Sequence, residues 1–216
     1  MASPKTIAIA GIHTGIGKTI VSAILAQALK ADYWKPVQAG ALDNSDRMIV
    51  QGLVANEQSV FHPEALALQM AASPHTAAAK ENLSVDCRNF ILPETGNTLL
   101  VETAGGLLSP MDDRHTMADF ISRHQWPAVL VMRHYLGSIN HTLLCLEVMQ
   151  QRQIPLACLV VNGLRDEASE SFIRNYTDAA PVLYVPELKA LDREQVSAAA
   201  AALDHSLLQS IFDEQY

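Results

Sequence analysis

The segment GIHTGIGKT, Gly11 to Thr19, constrains this chain more than any other. The apolar run Thr6–Ala10 before it reads as a buried strand. Behind it Lys18–Lys30 reads as a helix, with Ile20, Val21, Ile24, Leu25 and Ala28 on one face. Strand, glycine-rich turn and helix, in that order, build a phosphate cradle. The glycines let backbone N–H groups turn inward, and the helix N-terminus adds its partial positive charge. In such a loop Gly15, Ile16 and Gly17 offer backbone N–H groups, Lys18 reaches the outer phosphates, and the Thr19 hydroxyl ligates Mg²⁺. The spacing is a variant. The usual motif needs its first glycine at position 12, where this chain has Ile12, and Gly11 lies one residue too early.

Beyond the loop, short apolar runs alternate with helical patterns. Tyr33–Val37, Thr98–Glu102, Ala128–Met132, Leu156–Val161 and Val182–Val185 read as strands. Asp46–Ala55, Glu64–Ala72, Met117–His124, Ile139–Gln151, Glu167–Tyr176 and Gln195–Phe212 read as helical, the last as one helix or two. Continuous apolar strands suit a parallel sheet buried on both faces. The expectation is an α/β fold of the P-loop NTPase type, one domain over residues 1–216, with a mainly parallel sheet between helices.

Charge limits the partners. Lys and Arg number 15 against 23 Asp and Glu, a net charge of -8, and no basic block occurs. Nucleic acid and anionic membrane are therefore poor partners, and any phosphate site must be local. Three widely spaced cysteines, Cys87, Cys145 and Cys158, give no disulfide framework and no zinc knuckle. Cys145 and Cys158 read as buried small hydrophobes. The start MASPKTIAIAG lacks the pattern of a signal peptide, and no apolar run reaches membrane-spanning length, so the expected location is the cytoplasm. The histidines form no H-E-x-x-H pair, and no G-x-S-x-G occurs, which leaves zinc-protease and serine-hydrolase chemistry unsupported. Asp112 and Asp113 read as a solvated loop in preference to a metal pair. Ser73-Pro74-His75 reads as a helix-ending turn.

A second acid follows from sheet geometry. Glu102 ends an apolar strand, and a carboxylate at that tip lies on the same sheet edge as the phosphate loop. It can share the ion held by Thr19. Gly105 and Gly106, just beyond, allow close backbone approach to phosphate or substrate. In Asn44-Ser45-Asp46 two readings stand: a helix cap, or a further metal carboxylate at Asp46.

Taken together, GIHTGIGKT, WKPVQAG, NSD, SPH, VETAGGLLSP, LGSINHT and VVNG resemble the dethiobiotin synthetase family, in that order from Gly11 to Gly163. Pro186-Glu187-Leu188 extends the likeness. The resemblance implies that Mg·ATP drives ureido ring closure of 7,8-diaminononanoate with CO₂, through a carbamate and a carbamic-phosphoric anhydride. It implies catalytic roles for Lys18, Lys35 and Thr14, and metal ligation by Thr19, Asp46 and Glu102. Asn162 would contact adenine, bordered by Pro186, Glu187 and Leu188. Ala39, Gly105, Gly106, Leu107, Pro110, Gly137, Ser138 and Asn140 would bind substrate, the last three from the neighbouring subunit of a homodimer. His141 reads as structural.

The chain departs from the family pattern at three places. Ala39 replaces a common Ser or Thr, His13 replaces a common Asp or small residue, and Arg133-His134-Tyr135 is bulkier and more basic than expected. The competing reading is a partitioning-type ATPase switch that acts through a protein partner. Such proteins carry a second lysine where His13 stands. A related amide ligase acting on a larger carboxylate is a third reading.

Overall fold

The computed structural model describes residues 5–177 and 180–213. Its centre is a seven-stranded sheet. In chain order the strands are β1 (Thr6–Gly11), β2 (Asp32–Trp34), β3 (Val37–Ala39), β4 (Phe61–His62), β5 (Leu66–Leu68), β6 (Leu99–Glu102), β7 (Ala128–Met132), β8 (Leu156–Asn162) and β9 (Val182–Val185). The main sheet runs β4-β2-β6-β1-β7-β8-β9, and every pair in it is parallel. β3 and β5 form a separate parallel pair. The helices are α1 (Lys18–Leu29), α2 (Asp46–Leu53), α3 (Pro74–Lys80), α4 (Met117–Arg123), α5 (Ser138–Gln151), α6 (Glu167–Tyr176), α7 (Arg193–Ala202) and α8 (His205–Asp213). No described helix is long and apolar enough to cross a membrane. The segment read for a signal peptide begins in residues 1–4, outside the described residues.

The apolar strands are where the sequence places them, because parallel strands covered on both faces must be apolar throughout. β1, β6 and β7 are almost wholly buried. From β1 the chain steps out to β2 and β4, returns to insert β6, and then builds outward through β7, β8 and β9. The strand order thus reverses around β1. Ligands of open parallel sheets bind at such a reversal, beyond the carboxyl ends of the strands.

Three expectations need correction. Glu64–Ala72 is not helical: Leu66 and Leu68 point one way and exposed Ala67 the other, and β5 pairs with β3. The two-residue alternation outweighs the helical spacing there. Tyr33–Val37 is two strands, because Pro36 has no N–H to continue the ladder. Its carbonyl accepts from Leu66 N at 2.9 Å, which turns the chain into the small sheet. Ser73-Pro74-His75 starts α3 and does not end a helix. Pro74 occupies the first turn, where its fixed φ suits the helix and its missing N–H costs nothing. Of the two readings left open for Gln195–Phe212, two helices is the one found, because Asp204 accepts from Ser206 N and Leu207 N and starts α8 afresh.

One buried carboxylate ties the edge of the sheet together. Asp32 of β2 accepts from Val60 N, Thr95 Oγ1 and Asn97 Nδ2, and meets His62 Nε2 at 3.1 Å. Burial pushes its pKa up, but these hydrogen bonds more than offset that, and the net shift is downward. Its stabilisation is therefore present above the unfolded pKa and is lost as pH falls through the lowered folded value. Asp32→Ala should cost about 3 kcal/mol, since it strands several buried donors. Urea unfolding at neutral pH measures this, and a loss below about 1 kcal/mol would contradict the role.

Candidate functional site

β1 delivers the glycine loop to the carboxyl edge of the sheet. Gly17 closes the loop with φ 91°, a conformation open mainly to glycine. A Cβ there would also lie 2.1 Å from Asn162 Nδ2. That amide donates to Ile16 O at 2.7 Å, so Asn162, at the end of β8, grips the loop from outside. Among the described residues its Oδ1 has no hydrogen-bond donor. Next to it Gly163 N donates to Val185 O at 2.8 Å, which sets Pro186, Glu187 and Leu188 beside Asn162. Arg133 pairs with Glu187 at 2.9 Å. His134 Nε2 meets Glu170 at 3.2 Å and Tyr135 Oη meets His141 Nδ1 at 2.6 Å. The unexpected Arg-His-Tyr run thus has partners within the chain.

The register Ile9↔Glu102 brings the β6 carboxylate beside the loop. Glu102 is 1% exposed. Its Oε2 accepts from Ser22 Oγ at 3.0 Å and Tyr33 Oη at 2.9 Å, and its Oε1 faces Thr19 Oγ1 at 3.0 Å. Thr19 Oγ1 also lies 2.6 Å from Asp46 Oδ1. Asp46 opens α2 while Ser45 caps that helix through Met48 N. The cap reading of the Asn-Ser-Asp segment therefore holds at Ser45, and Asp46 beside it turns its carboxylate to Thr19.

Lys35, 8% exposed, pairs with Asp46 and lies 3.6 Å from Glu102 Oε1. Burial pulls its ammonium down, but Glu102 and Asp46 more than offset this and the net shift is upward. Asp46 mirrors it: burial raises its pKa, yet Lys35 and Thr19 bring the net shift down. Lys18, 7% exposed, donates to Gly105 O at 2.6 Å. For Lys18 burial dominates, Glu102 compensates only partly, and the pKa is lowered.

Thr19 Oγ1, Asp46 Oδ1 and Glu102 Oε1 converge with one hydroxyl proton among them. A single proton serves only one of the two carboxylates at a time, so lone pairs face one another. Such an all-oxygen set, with two carboxylates, suits Mg²⁺. The donor chemistry fits the ion that the loop implies.

A cleft of about 490 Å³ opens in front of these groups, lined by Thr14, Lys35, Gln38, Ala39, Asp46, Gly105, Ser109 and residues 71–74. This is the size of a small-molecule site. Gly105 stands at φ +72°, and a Cβ there would lie 2.3 Å from Ser109 Oγ, which accepts from Gly106 N at 2.8 Å. Leu107 and Pro110 line a neighbouring apolar cavity with His13 and His141, and Thr14 borders both spaces. Gly137, Ser138 and Asn140 are elsewhere: they line a third cavity with Tyr135 and Phe172. The fold thus gathers Thr14, Lys18, Thr19, Lys35, Ala39, Asp46, Glu102 and Gly105. It groups Asn162 with Pro186–Leu188, and leaves the start of α5 apart.

Sequence reasoning missed Ser22, Tyr33, Gln38 and Ser109. Ser22 lies one turn beyond Thr19 on the same helix face, a spacing that was readable. Tyr33 and Gln38 hide within apolar strands. Asp112 is also no solvated loop residue, being 6% exposed.

A family model described as an AAA domain matches residues 5–195. The ATP-dependent dethiobiotin synthetase BioD of Christiangramia forsetii is 47% identical over 171 residues, 79% of this chain and 82% of that protein. The one from Cytophaga hutchinsonii is 44% identical over 196 residues, 90% of this chain and 95% of that protein. Among solved structures, a ParA family ATPase from Chlorobium tepidum superposes with a TM-score of 0.53 at 10% identity, covering 93% of this chain and all of that one. That likeness is one of fold.

Because the Lys18 charge is buried at a net cost, Lys18→Met should leave the melting temperature without ligand unchanged or raised. The same variant should lose the rise that Mg·ATP gives the wild type. A large drop without ligand, or a retained nucleotide shift, would contradict this reading; differential scanning fluorimetry reads both.

Proposed function

This chain belongs to the dethiobiotin synthetase family, and from that premise we propose that residues 1–216 act as one domain closing a ureido ring at the expense of ATP. One amine of 7,8-diaminononanoate adds to CO₂ and loses a proton, giving a carbamate. A carbamate oxygen attacks the γ-phosphorus and ADP leaves. The second amine attacks the carbonyl of the resulting carbamic-phosphoric anhydride, phosphate departs, and dethiobiotin is formed.

The observation that carries this reading is the Lys35 ammonium, nearly buried and held between Asp46 and Glu102 beside the phosphate loop. Carbamate and triphosphate are both anions. Fixed cations at their junction offset the repulsion and stabilise charge in transfer. Lys35 faces the cleft and would hold the carbamate and the moving phosphoryl group. Lys18 would hold the outer phosphates, with Thr14 and Gly15 lining the path. Mg²⁺, held by Thr19, Asp46 and Glu102, would neutralise charge on the phosphates. Ala39, Gly105, Gly106, Leu107 and Pro110 would shape the substrate space. Asn162, with one amide N–H donated to Ile16 O, would present Oδ1 to the adenine amino group, bordered by Pro186, Glu187 and Leu188. No protein nucleophile is needed, so positioning and charge supply the rate.

The start of α5 supports a homodimer. Leu136 is fully exposed and Leu144 is 57% exposed, while Gly137, Ser138 and Asn140 stand apart from the cleft of their own chain. From a second copy they would receive the substrate carboxylate at a helix N-terminus. Three cysteines without disulfide partners and the demand for ATP favour the cytoplasm.

The partitioning-type reading is not favoured. It rests on a fold shared at 10% identity, against 47% identity to a dethiobiotin synthetase.

Purified protein with ATP, Mg²⁺, bicarbonate and diaminononanoate should release ADP and dethiobiotin in equal amounts. Folded protein that yields no dethiobiotin rejects the proposal. Lys35→Ala should bind ATP as before and lose at least about 10²-fold in kcat; an unchanged kcat removes Lys35 from the chemistry. Leu136→Asp with Leu144→Asp should shift sedimentation from dimer to monomer and lower activity with it. Full activity in a monomer would overturn the shared site.

A further inference from the structure

Away from the cleft, three unlike donors meet. Cys87 lies in a 3₁₀ turn, Cys87–Asn89, and is 2% exposed. Asp112 and His115 lie in the loop closed by the Pro110↔Thr116 bridge, just before α4. Among the described residues this is the one group of three His, Cys, Asp or Glu side chains with donor atoms all within 4.8 Å of one another.

The carboxylate between them is held rigidly. Asp112 Oδ1 accepts from Arg114 N at 2.9 Å and His115 N at 2.8 Å, and Oδ2 accepts from Cys87 N at 3.1 Å. His115 Nδ1 lies 2.9 and 3.0 Å from its two oxygens. Lone-pair-bearing atoms sit that close only around a proton or a cation. On the third side, burial and the facing carboxylate push the Cys87 thiol up to about 12. A thiol proton and an imidazole proton therefore fill the centre in the ligand-free chain.

We propose that Cys87, Asp112 and His115 form a zinc site, with a fourth position open to water on the half-exposed His115 side. Thiolate, imidazole and carboxylate together select a borderline-soft ion over Mg²⁺. Zn–S near 2.3 Å and Zn–N near 2.0 Å require donors roughly 3–4 Å apart, a small contraction of the cluster. The charges balance, since the thiolate and the carboxylate neutralise the ion. Binding releases the Cys87 thiol proton to solvent, and the imidazole proton moves from Nδ1 to Nε2. The ion would staple the 81–98 segment, whose one regular element is the Cys87 turn, to the loop that follows Ser109 and Pro110 at the cleft.

The test uses full-length protein stripped with chelator, then kept in a large excess of Mg²⁺ so that the Asp46–Glu102 pair does not compete. Zn²⁺ is titrated against a chromophoric chelator. One ion per chain should bind, with a higher melting temperature. His115→Ala, chosen because that side chain is partly exposed, should fold and weaken binding more than about 10-fold. Co²⁺ should give a thiolate charge-transfer band that is missing in Cys87→Ser. Folded wild-type protein that fails to compete for Zn²⁺ would show a hydrogen-bonded staple only and overturn the site. Wild-type affinity in both variants would place the ion elsewhere and do the same.

Discussion

A carboxylate almost without water, Glu102 at the end of β6, is the constraint around which this molecule is arranged. Left alone there its charge would carry a large desolvation cost. It is instead met by two hydroxyls, Ser22 and Tyr33, and by the Lys35 ammonium. Ser22 comes from α1, Tyr33 from β2 and Lys35 from the residue that follows β2. α1 and β2 must therefore both pack against the end of β6 in one way. The register that places Ile9 opposite Glu102 also places the phosphate loop against it, so fold and site are specified by the same contacts.

Burial lowers the pKa of both lysines, but the neighbouring acids reverse the net direction at only one of them. Lys35 has two acids within reach, and its charge is held more firmly than in water. Lys18 lies in the loop itself, where its partner is a carbonyl, and burial leaves its charge at a net cost. A lysine left short of anions inside a phosphate loop is prepared for an anionic ligand, and the protein gives up some stability to keep it there. Asn162 does comparable work from β8. By donating one amide N–H to Ile16 O it fixes the loop from outside. The closeness of that grip is also what requires glycine at position 17.

Much of this was legible in the residues. β7, β9 and α6 fall on the stretches read from the sequence, and β1 and β8 within a residue, because apolar runs and helical spacing carry their own signal. The phosphate loop and the strand-tip acid were readable for a similar reason: each needs only local sequence and the rule that parallel strands end on one edge. What escaped depends on contacts between distant segments. β5 is three residues long and exists because β3 lies beside it. Pro74 reads as a stop unless the chain before it is known to be extended. Tyr33 looks like one more core aromatic until β6 is placed next to β2. Asp112 looks solvated until the Cys87 turn is folded over it.

The central claim is that Lys35, steadied by two acids, joins the anions that react. The most direct measurement is a crystal structure of the protein with diaminononanoate, bicarbonate, Mg²⁺ and a non-hydrolysable ATP analogue. Lys35 Nζ should lie within about 3.2 Å of a carbamate or γ-phosphate oxygen. Both ligands bound in order with Lys35 still turned to Asp46 alone, and no carbamate within its reach, would contradict the account.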